Sequence, residues 1–295
     1  MNETHKNIKN IFWINGSIVK PENATISVLD HGLLYGDGVF EGIRYYNGKI
    51  FRLQAHLTRL RHSLKGLAIE IDFSDNELEE ALIELIQTAK KETGCSSAYI
   101  RLIVTRGAGT LGIDPRTCDK PSVIMILAPL SLASAEANQS GLKVIVSSVR
   151  RISADMLDPQ IKSLNYLNNI LARMQATAAQ ADEAIMLNAL GFVAEASTEN
   201  IFLVKNNVLM TPSLDQGLLE GITRAEIIKI ATALGFKVEQ TQISVSDLYE
   251  ADEVFLTGTG AELLAVREVD GRAVKSCPGQ VFKTLQQKYL ALVSE

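Results

Sequence analysis

The chain has 295 residues, of which 46% are hydrophobic and 21% charged, and its formal net charge is -5. This composition is ordinary for a globular protein, and the length suits two domains of about 100–200 residues each. Interspersed charges of both signs exclude a basic surface for nucleic acid. No run reaches the roughly 20 apolar residues that a membrane span needs.

Neither the start of the chain nor its cysteines predict an exported or metal-binding protein. Residues 1–10 are polar and do not resemble a signal peptide. Cys95, Cys118 and Cys277 are scattered and form no CxxC pair, so they predict neither a disulfide framework nor a zinc site. We therefore expect a cytoplasmic protein without a metal.

The first part of the chain predicts strands and two helices. Asn15-Gly16 and Asn47-Gly48 lie between apolar runs and predict tight hairpins. Ser74 with Glu77 predicts a capping box at a helix start. The predicted elements are hairpins over Ile11–Val19 and Gly42–Leu53, helices over Leu53–Leu67 and from Ser74, and strands over Ala98–Thr105 and Ser122–Leu127.

The stretch 129–141 is small, polar and turn-rich, and it predicts a linker between an N-terminal domain, 1–128, and a C-terminal domain, 142–295. Strands and helices alternate beyond it, and Thr223 with Glu226 predicts a helix cap. The predicted strands are Leu142–Val149, Glu183–Leu187, Phe192–Ala196, Ile201–Met210 and Val254–Thr257, and the helices are Ser163–Ala181, Thr223–Leu234 and Val281–Val293. Both halves are thus of the α/β (α+β) class.

Lys162 is a candidate for covalent chemistry. It lies among apolar neighbours just before the predicted helix at Ser163. Burial lowers the pKa of a lysine, and an amine that is partly unprotonated can bond to an aldehyde. A solvated lysine at a helix start is the ordinary alternative.

Two loops and one arginine are candidates for binding phosphate. Gly221-Ile222-Thr223-Arg224 opens a helix, where backbone N–H groups and the helix dipole favour an anion. The run from Thr257 to Gly260 is a second small, hydroxyl-rich loop after a strand. Arg59 could bind phosphate in a bidentate manner. Simple capping, a plain turn and a surface arginine are the respective alternatives.

Glu195 and a glycine-rich loop complete the candidates. Glu195 interrupts a small apolar strand, and a carboxylate there needs a partner such as a protonated pyridine nitrogen or an arginine, unless it faces solvent. The run 36–42, GDGVFEG, has the pattern GxGxxxG rather than GxGxxG and leads into a predicted hairpin, so it is a weak dinucleotide signal. A nucleotide-binding module built on this loop stays open as an alternative.

Five segments in this order resemble the motifs of the class IV aminotransferases, which are fold-type IV enzymes dependent on pyridoxal 5'-phosphate (PLP). The resemblance extends roughly from Ile11 to Leu292. It implies two α/β domains like those of the D-amino acid aminotransferases, with PLP between them. The segments are Leu29–Arg44, Lys162–Asn169, Phe192–Phe202, Leu219–Arg224 and Ala251–Thr259.

The resemblance also implies a role for each matched residue. Lys162 would bind PLP covalently and carry the proton, Glu195 would pair with the pyridine nitrogen, and Tyr166 would hydrogen-bond the phenolic oxygen. The phosphate would be bound by Arg59, Ile222 N–H, Thr223 and Thr259. The substrate side would be formed by Tyr35, Phe40, Tyr99 and Arg101, with Gly260 and Ala261 binding the carboxylate through backbone N–H groups.

Within the family the chain most resembles the branched-chain amino acid aminotransferases, which exchange an amino group between leucine, isoleucine or valine and 2-oxoglutarate. The segment Lys162–Tyr166 is one residue tighter than in some of those enzymes and resembles the D-amino acid aminotransferases, and Ala196 stands where glycine is usual. The run 105–115, however, lacks the Arg-x-His motif of the D-specific enzymes. D-amino acid transamination and aminodeoxychorismate lyase activity stay open. Family members are at least homodimers, in which each site receives residues from its neighbour.

Overall fold

A computed structural model describes residues 10–129 and 140–294. Residues 10–129 and Ile161–Asn165 form one compact unit, and residues 140–160 and 166–294 form a second. Lys162 thus groups with the first unit, although it lies inside the sequence range predicted as the C-terminal domain. Most of the predicted linker lies outside the described residues. In the two described ranges no helix is long and apolar enough to cross a membrane.

The first unit is a six-stranded antiparallel sheet with three helices. The sheet has the strand order β2-β1-β6-β5-β3-β4. Both predicted Asn-Gly hairpins are confirmed, because Asn15, Gly16, Asn47 and Gly48 have positive φ at the turns. The elements are β1 (Ile11–Ile14), β2 (Ser17–Val19), α1 (His31–Tyr35), β3 (Gly38–Tyr46), β4 (Lys49–Ile50), α2 (Leu53–Gly66), α3 (Asp75–Thr93), β5 (Ser97–Thr105) and β6 (Ser122–Pro129).

Helices α2 and α3 belong to the same core as one face of this sheet. Alternate strand residues such as Val39, Ile43 and Leu102 lie in this core with Leu57 of α2 and Leu82 of α3. Each such side chain contributes about 1.5–3 kcal/mol of hydrophobic free energy. The predicted capping box is confirmed, since Glu77 N–H donates to Ser74 Oγ while the Glu77 carboxylate accepts from Ser74 N–H. The opposite face of β3 and β5 is left to other residues.

The short helix α1 was not predicted, and the glycine-rich run that follows it supports the segment around Lys162. The Leu164 N–H donates to the Gly38 carbonyl at 2.9 Å, and the Phe40 N–H donates to the Lys162 carbonyl at 3.0 Å. A Cβ at Gly38 would lie 2.8 Å from the Leu164 side chain, so a side chain there would displace the segment. The predicted helix Ser163–Ala181 is therefore wrong at its start, because Ser163 and Leu164 lie outside any helix and pair with β3.

The second unit contains a mixed nine-stranded sheet and four helices. The strand order is β12-β11-β10-β13-β14-β7-β8-β9, and β15 pairs with β14. Strand pairs β11/β12, β14/β7 and β7/β8 are parallel. The elements are β7 (Leu142–Val146), α4 (Leu167–Ala178), β8 (Glu183–Leu187), β9 (Val193–Ala196), β10 (Asn200–Lys205), β11 (Val208–Pro212), α5 (Ile222–Ala233), β12 (Lys237–Thr241), α6 (Val245–Glu250), β13 (Glu253–Gly258), β14 (Glu262–Val269), β15 (Arg272–Ala273) and α7 (Gln280–Ser294).

Two further predictions in this unit are wrong in detail. The single strand Ile201–Met210 is a hairpin of β10 and β11, because Asn206 and Asn207 both take positive φ and turn the chain. Asparagine tolerates this conformation better than most residues, so the Asn-Asn pair was an available signal. Helix α5 has Gly221 as its N-cap without a side-chain cap, so the predicted capping by Thr223 is also wrong.

Candidate functional site

Lys162 is anchored through its backbone in the first unit. Its N–H donates to the Ser63 hydroxyl of α2 at 3.1 Å, and its carbonyl accepts from Phe40 of β3. Its Nζ lies 4.7 Å from the centroid of the Phe40 ring, within the range of a cation–π contact. The residue is partly buried and is not at a helix start, which is the position that the alternative of a solvated lysine assumed.

Phe40 also joins Lys162 to two other predicted site residues. The guanidinium of Arg101 lies 4.3 Å from the Phe40 ring centroid and 5.6 Å from that of Tyr99. Gly42 is paired with Arg101 across the strands, and a Cβ on Gly42 would collide with the Tyr99 hydroxyl. One sheet face therefore brings together an amine, a guanidinium and two aromatic rings, which can bind a substrate with an apolar part and an acidic group.

Arg59 is not a surface residue, because its side chain is only 12% exposed. Its Nε and Nη2 donate to the two carboxylate oxygens of Glu41, both at 2.8 Å, and His56 Nδ1 lies 2.8 Å from Glu41 Oε2. Burial would raise the pKa of Glu41, but the charge and hydrogen bonds of Arg59, helped by His56, outweigh it and lower the pKa to about 2. Burial also lowers the pKa of His56. The cluster thus holds a carboxylate, a guanidinium and a neutral imidazole.

Glu195 is a buried carboxylate on β9 in the second unit. Its Oε1 accepts from Arg151 Nε at 2.8 Å, and its Oε2 accepts from the Leu219 N–H at 3.1 Å. The arginine that the sequence offered as one alternative partner is therefore present. Each carboxylate oxygen can accept two hydrogen bonds, so the group retains the capacity to accept one from a further donor.

The start of α5 has the form of an anion site. The segment before it is fixed by Glu195 and by Asn200, whose side-chain amide donates to the Leu219 carbonyl at 3.0 Å. Gly221 approaches Asn200 so closely that a Cβ would collide with it. Because the N-cap is a glycine, no side chain caps the N–H groups of Ile222 and Thr223, which lie at the positive end of the helix dipole.

A three-residue turn, Thr259 to Ala261, connects β13 to β14. Gly258 and Glu262 are paired at its base. Thr257, just before this turn, is 1% exposed, and its hydroxyl has no hydrogen-bond partner in the described protein. An uncapped helix start and a buried, unpartnered hydroxyl in one unit are features that fit a phosphate group.

Two of the predicted residues lie outside these clusters. Tyr35, on α1, is 38% exposed, and its ring contacts His31 at a centroid distance of 5.0 Å. Its hydroxyl accepts from the Gly112 N–H at 2.8 Å. Tyr166 is the N-cap of α4 and is partly buried. Neither arrangement tests the role that was predicted.

Several residues that support the candidate site were not singled out from the sequence. Arg151 and Asn200 bind Glu195 and the segment before α5, as described above. Gln160 both donates to the Leu218 carbonyl at 2.7 Å and accepts from the Glu220 N–H at 3.2 Å. Glu41 binds Arg59. Only Asn200 had a local signal, because it lies in the recognised segment Phe192–Phe202.

Glu199, beside this segment, is a carboxyl group with an unusual environment. Its Oε2 is buried without a hydrogen-bond partner in the described chain. Burial, and then repulsion from Glu183, raises the pKa of Glu199 from 4.5 to about 7. The folded protein therefore binds a proton here more tightly than the unfolded chain, and this contribution to stability is lost as the pH rises from about 4.5 to 7.

We expect Glu199→Gln to stabilise the protein at pH 8 but not at pH 4.5. The neutral amide resembles the protonated acid, so it avoids the cost of ionising a buried group, about 1–3 kcal/mol at pH 8. Urea unfolding of both proteins at the two pH values measures the difference. A gain of equal size at both values would contradict the proton linkage.

The comparisons with known proteins agree with these clusters. The family model for amino-transferase class IV matches residues 38–269, and the chain belongs to that family. It is 46% identical to a Methanocaldococcus jannaschii protein over 94% of each chain. It is 39% identical to the branched-chain-amino-acid aminotransferase of Pseudomonas aeruginosa, over 96% of this chain and 93% of that protein.

Solved structures give the same result. The branched-chain amino acid aminotransferase from T.th., solved with pyridoxamine 5'-phosphate, has a TM-score of 0.89 and 40% identity, over 97% of this chain and 95% of that one. The same enzyme was also solved with N-(5'-phosphopyridoxyl)-L-glutamate and with 4-methylvaleric acid. These matches confirm the predicted family and the fold-type IV architecture.

Proposed function

We propose that this protein is a PLP-dependent aminotransferase that exchanges the amino group between branched-chain L-amino acids and 2-oxoglutarate. The products are branched-chain 2-oxo acids and L-glutamate. Relatives with that name match nearly the whole chain at 37–39% identity. The observation that carries the proposal is the Lys162 amine over the Phe40 ring, with Arg101 on the same ring.

The residues fit PLP, and each has a proposed role. Bound PLP would supply a pyridine ring that accepts the electron pair left when a proton leaves the substrate. Lys162 would bind the cofactor and move that proton, Tyr166 would hydrogen-bond its phenolic oxygen, and Glu195 would keep its ring nitrogen protonated. The proposed phosphate ligands are Arg59, the Ile222 N–H, Thr223 and Thr259.

The proposed substrate residues form an apolar wall with a cation. Phe40 and Tyr99 would contact the branched side chain, and Arg101 would meet the distal carboxylate of glutamate. The N–H groups of Gly260 and Ala261 would bind the α-carboxylate. Tyr35 is the remaining member of the set, and we propose that it serves the site of a second subunit, since it is exposed in this chain.

We also propose a homodimer or higher homo-oligomer. Leu167, Ile170, Leu171 and Met174 of α4 are each 43–67% exposed and recur at helical spacing. Such an apolar stripe is typical of an interface between subunits. We propose a cytoplasmic location as well, because all three cysteines are free thiols, as expected in a reducing compartment.

The function is tested with a panel of amino donors and 2-oxoglutarate. We expect L-leucine or L-isoleucine to exceed D-alanine by at least about tenfold in kcat/KM, which is roughly 1.4 kcal/mol of transition-state preference. An apolar wall gains about 0.8 kcal/mol for each methylene it buries, and D-alanine offers little to bury. Glutamate formation measures the rate, and borohydride reduction with peptide mapping finds the modified lysine.

Each competing function has its own outcome in this experiment. A preference for D-alanine indicates a D-amino acid aminotransferase, and pyruvate release from aminodeoxychorismate without amine exchange indicates a lyase. Absence of an absorption band at about 400–430 nm, or mapping of the reduced adduct to a lysine other than Lys162, contradicts the proposed cofactor site.

A further inference from the structure

Glu41 is a fully buried carboxylate that Arg59 and His56 contact. It is 0% exposed and lies on the core-facing side of β3, between Val39 and Ile43. It accepts two hydrogen bonds from Arg59, and His56 contacts the same carboxylate. A buried charge of this kind costs free energy unless it is fully paired, so it persists only where its pairing is needed.

The same face of α2 also supports Lys162. His56, Arg59 and Ser63 are spaced at i, i+3 and i+7, which puts them on one side of a helix. The first two contact Glu41, and Ser63 accepts from the Lys162 N–H. One helix face therefore carries both the proposed phosphate ligand and a backbone support of the reactive lysine.

We propose that Glu41 is a positioning residue for cofactor binding, which acts by fixing the guanidinium of Arg59. The bidentate contact engages the Nε–Nη2 edge of the guanidinium and so orients its Nη1 end away from Glu41. An arginine held by a carboxylate on one edge loses little further conformational entropy when it binds an anion on another. This inference rests on the proposed PLP function.

His56 supports this arrangement as a neutral donor. With its Nδ1–H directed to Glu41, the imidazole occupies the remaining side of Oε2 without adding charge. Its Nε2 has no hydrogen-bond partner among the described residues, so the ring serves the carboxylate alone. The charges of Glu41 and Arg59 then balance each other until a phosphate arrives.

The test compares Glu41→Gln, Arg59→Ala and the double variant by PLP titration of the apoenzyme, with the absorption band as readout. We expect Arg59→Ala to raise the Kd for PLP by about 30-fold or more, the scale of a charge-assisted hydrogen bond. Glu41→Gln should raise it about tenfold. In the Arg59→Ala background, Glu41→Gln should add less than about twofold, because the residue through which it acts is gone.

Glu253→Gln is the matched control. Glu253 is another buried glutamate, which accepts from the Val281 and Phe282 N–H groups at the start of α7. Its substitution should lower thermal stability and leave the Kd for PLP unchanged. A Kd for Glu41→Gln within about twofold of wild type overturns the inference, as does a tenfold effect that persists without Arg59.

Two further measurements keep the result decisive. If Glu41→Gln does not fold, His56→Phe replaces it, and we expect a Kd raised about threefold that vanishes in the Arg59→Ala background. An unchanged Kd in His56→Phe then overturns the inference. Wild-type protein without any PLP band contradicts the proposed function itself, whereas a normal wild-type band with unaffected variants contradicts only the role of Glu41.

Discussion

Glu195→Gln is expected to retain PLP but to lower kcat for transamination by about 10²–10³-fold, the cost of removing one electrostatic stabiliser from a transition state. An amide carries no charge and cannot keep a pyridine nitrogen protonated. The ring then accepts electrons poorly when the substrate loses its proton. The measurement is kcat at saturating PLP, together with the absorption spectrum of the loaded protein.

The contacts of Glu195 determine how this variant is controlled. Glutamine keeps one oxygen for Arg151 or the Leu219 N–H, and the other donor loses its acceptor, which costs about 1–3 kcal/mol of stability. Glu183→Gln matches this loss, because Glu183 also accepts from an arginine, Arg173, and from backbone N–H groups. The control should lose stability while keeping kcat. A Glu195→Gln enzyme with kcat near wild type would remove Glu195 from the ring-nitrogen role.

Arg101→Ala should impair the half-reaction with 2-oxoglutarate about 10–100-fold and the half-reaction with leucine much less. A hydrogen bond between charged groups is worth about 1.5–3 kcal/mol, and only the five-carbon diacid offers a second carboxylate. Leucine needs the apolar wall, in which Arg101 lies over the Phe40 ring. Single-turnover absorbance changes measure each half-reaction separately.

Arg101→Lys distinguishes charge from shape at the same position. Lysine keeps the positive charge but lacks the planar fork that lies over Phe40, so an intermediate loss confined to 2-oxoglutarate is expected. Equal losses in both half-reactions of Arg101→Ala would mean that the residue supports the pocket as a whole. The proposed recognition of two different side chains would then require another cation.

The features that the sequence predicted well depend on close neighbours in the chain. Asn15-Gly16 forms its turn by local backbone preference, and the box of Ser74 and Glu77 closes within one helical turn. Partners far apart in the chain were not predictable in this way. Arg151 meets Glu195 across 44 positions, and neither spacing nor periodicity encodes that contact.

The segment around Lys162 shows how a tertiary contact changes a local preference. Its sequence is compatible with a helix from Ser163, yet α4 begins only at Leu167. The backbone groups of Lys162 and Leu164 instead find partners on Gly38 and Phe40, and the structure satisfies these before the helix starts. The roles of the individual site residues stay predictions until the variants are measured.

The pairing of Lys162 and Leu164 with the first residues of β3 has a consequence for aggregation. An unpaired strand edge is a template for association with other chains. Here β4 pairs with the end of β3 and the lysine segment pairs with its beginning, so each covers part of the same edge. A cut or insertion between Ile161 and Asn165 would expose backbone donors and acceptors on β3, and we expect such a protein to aggregate as well as to lose activity.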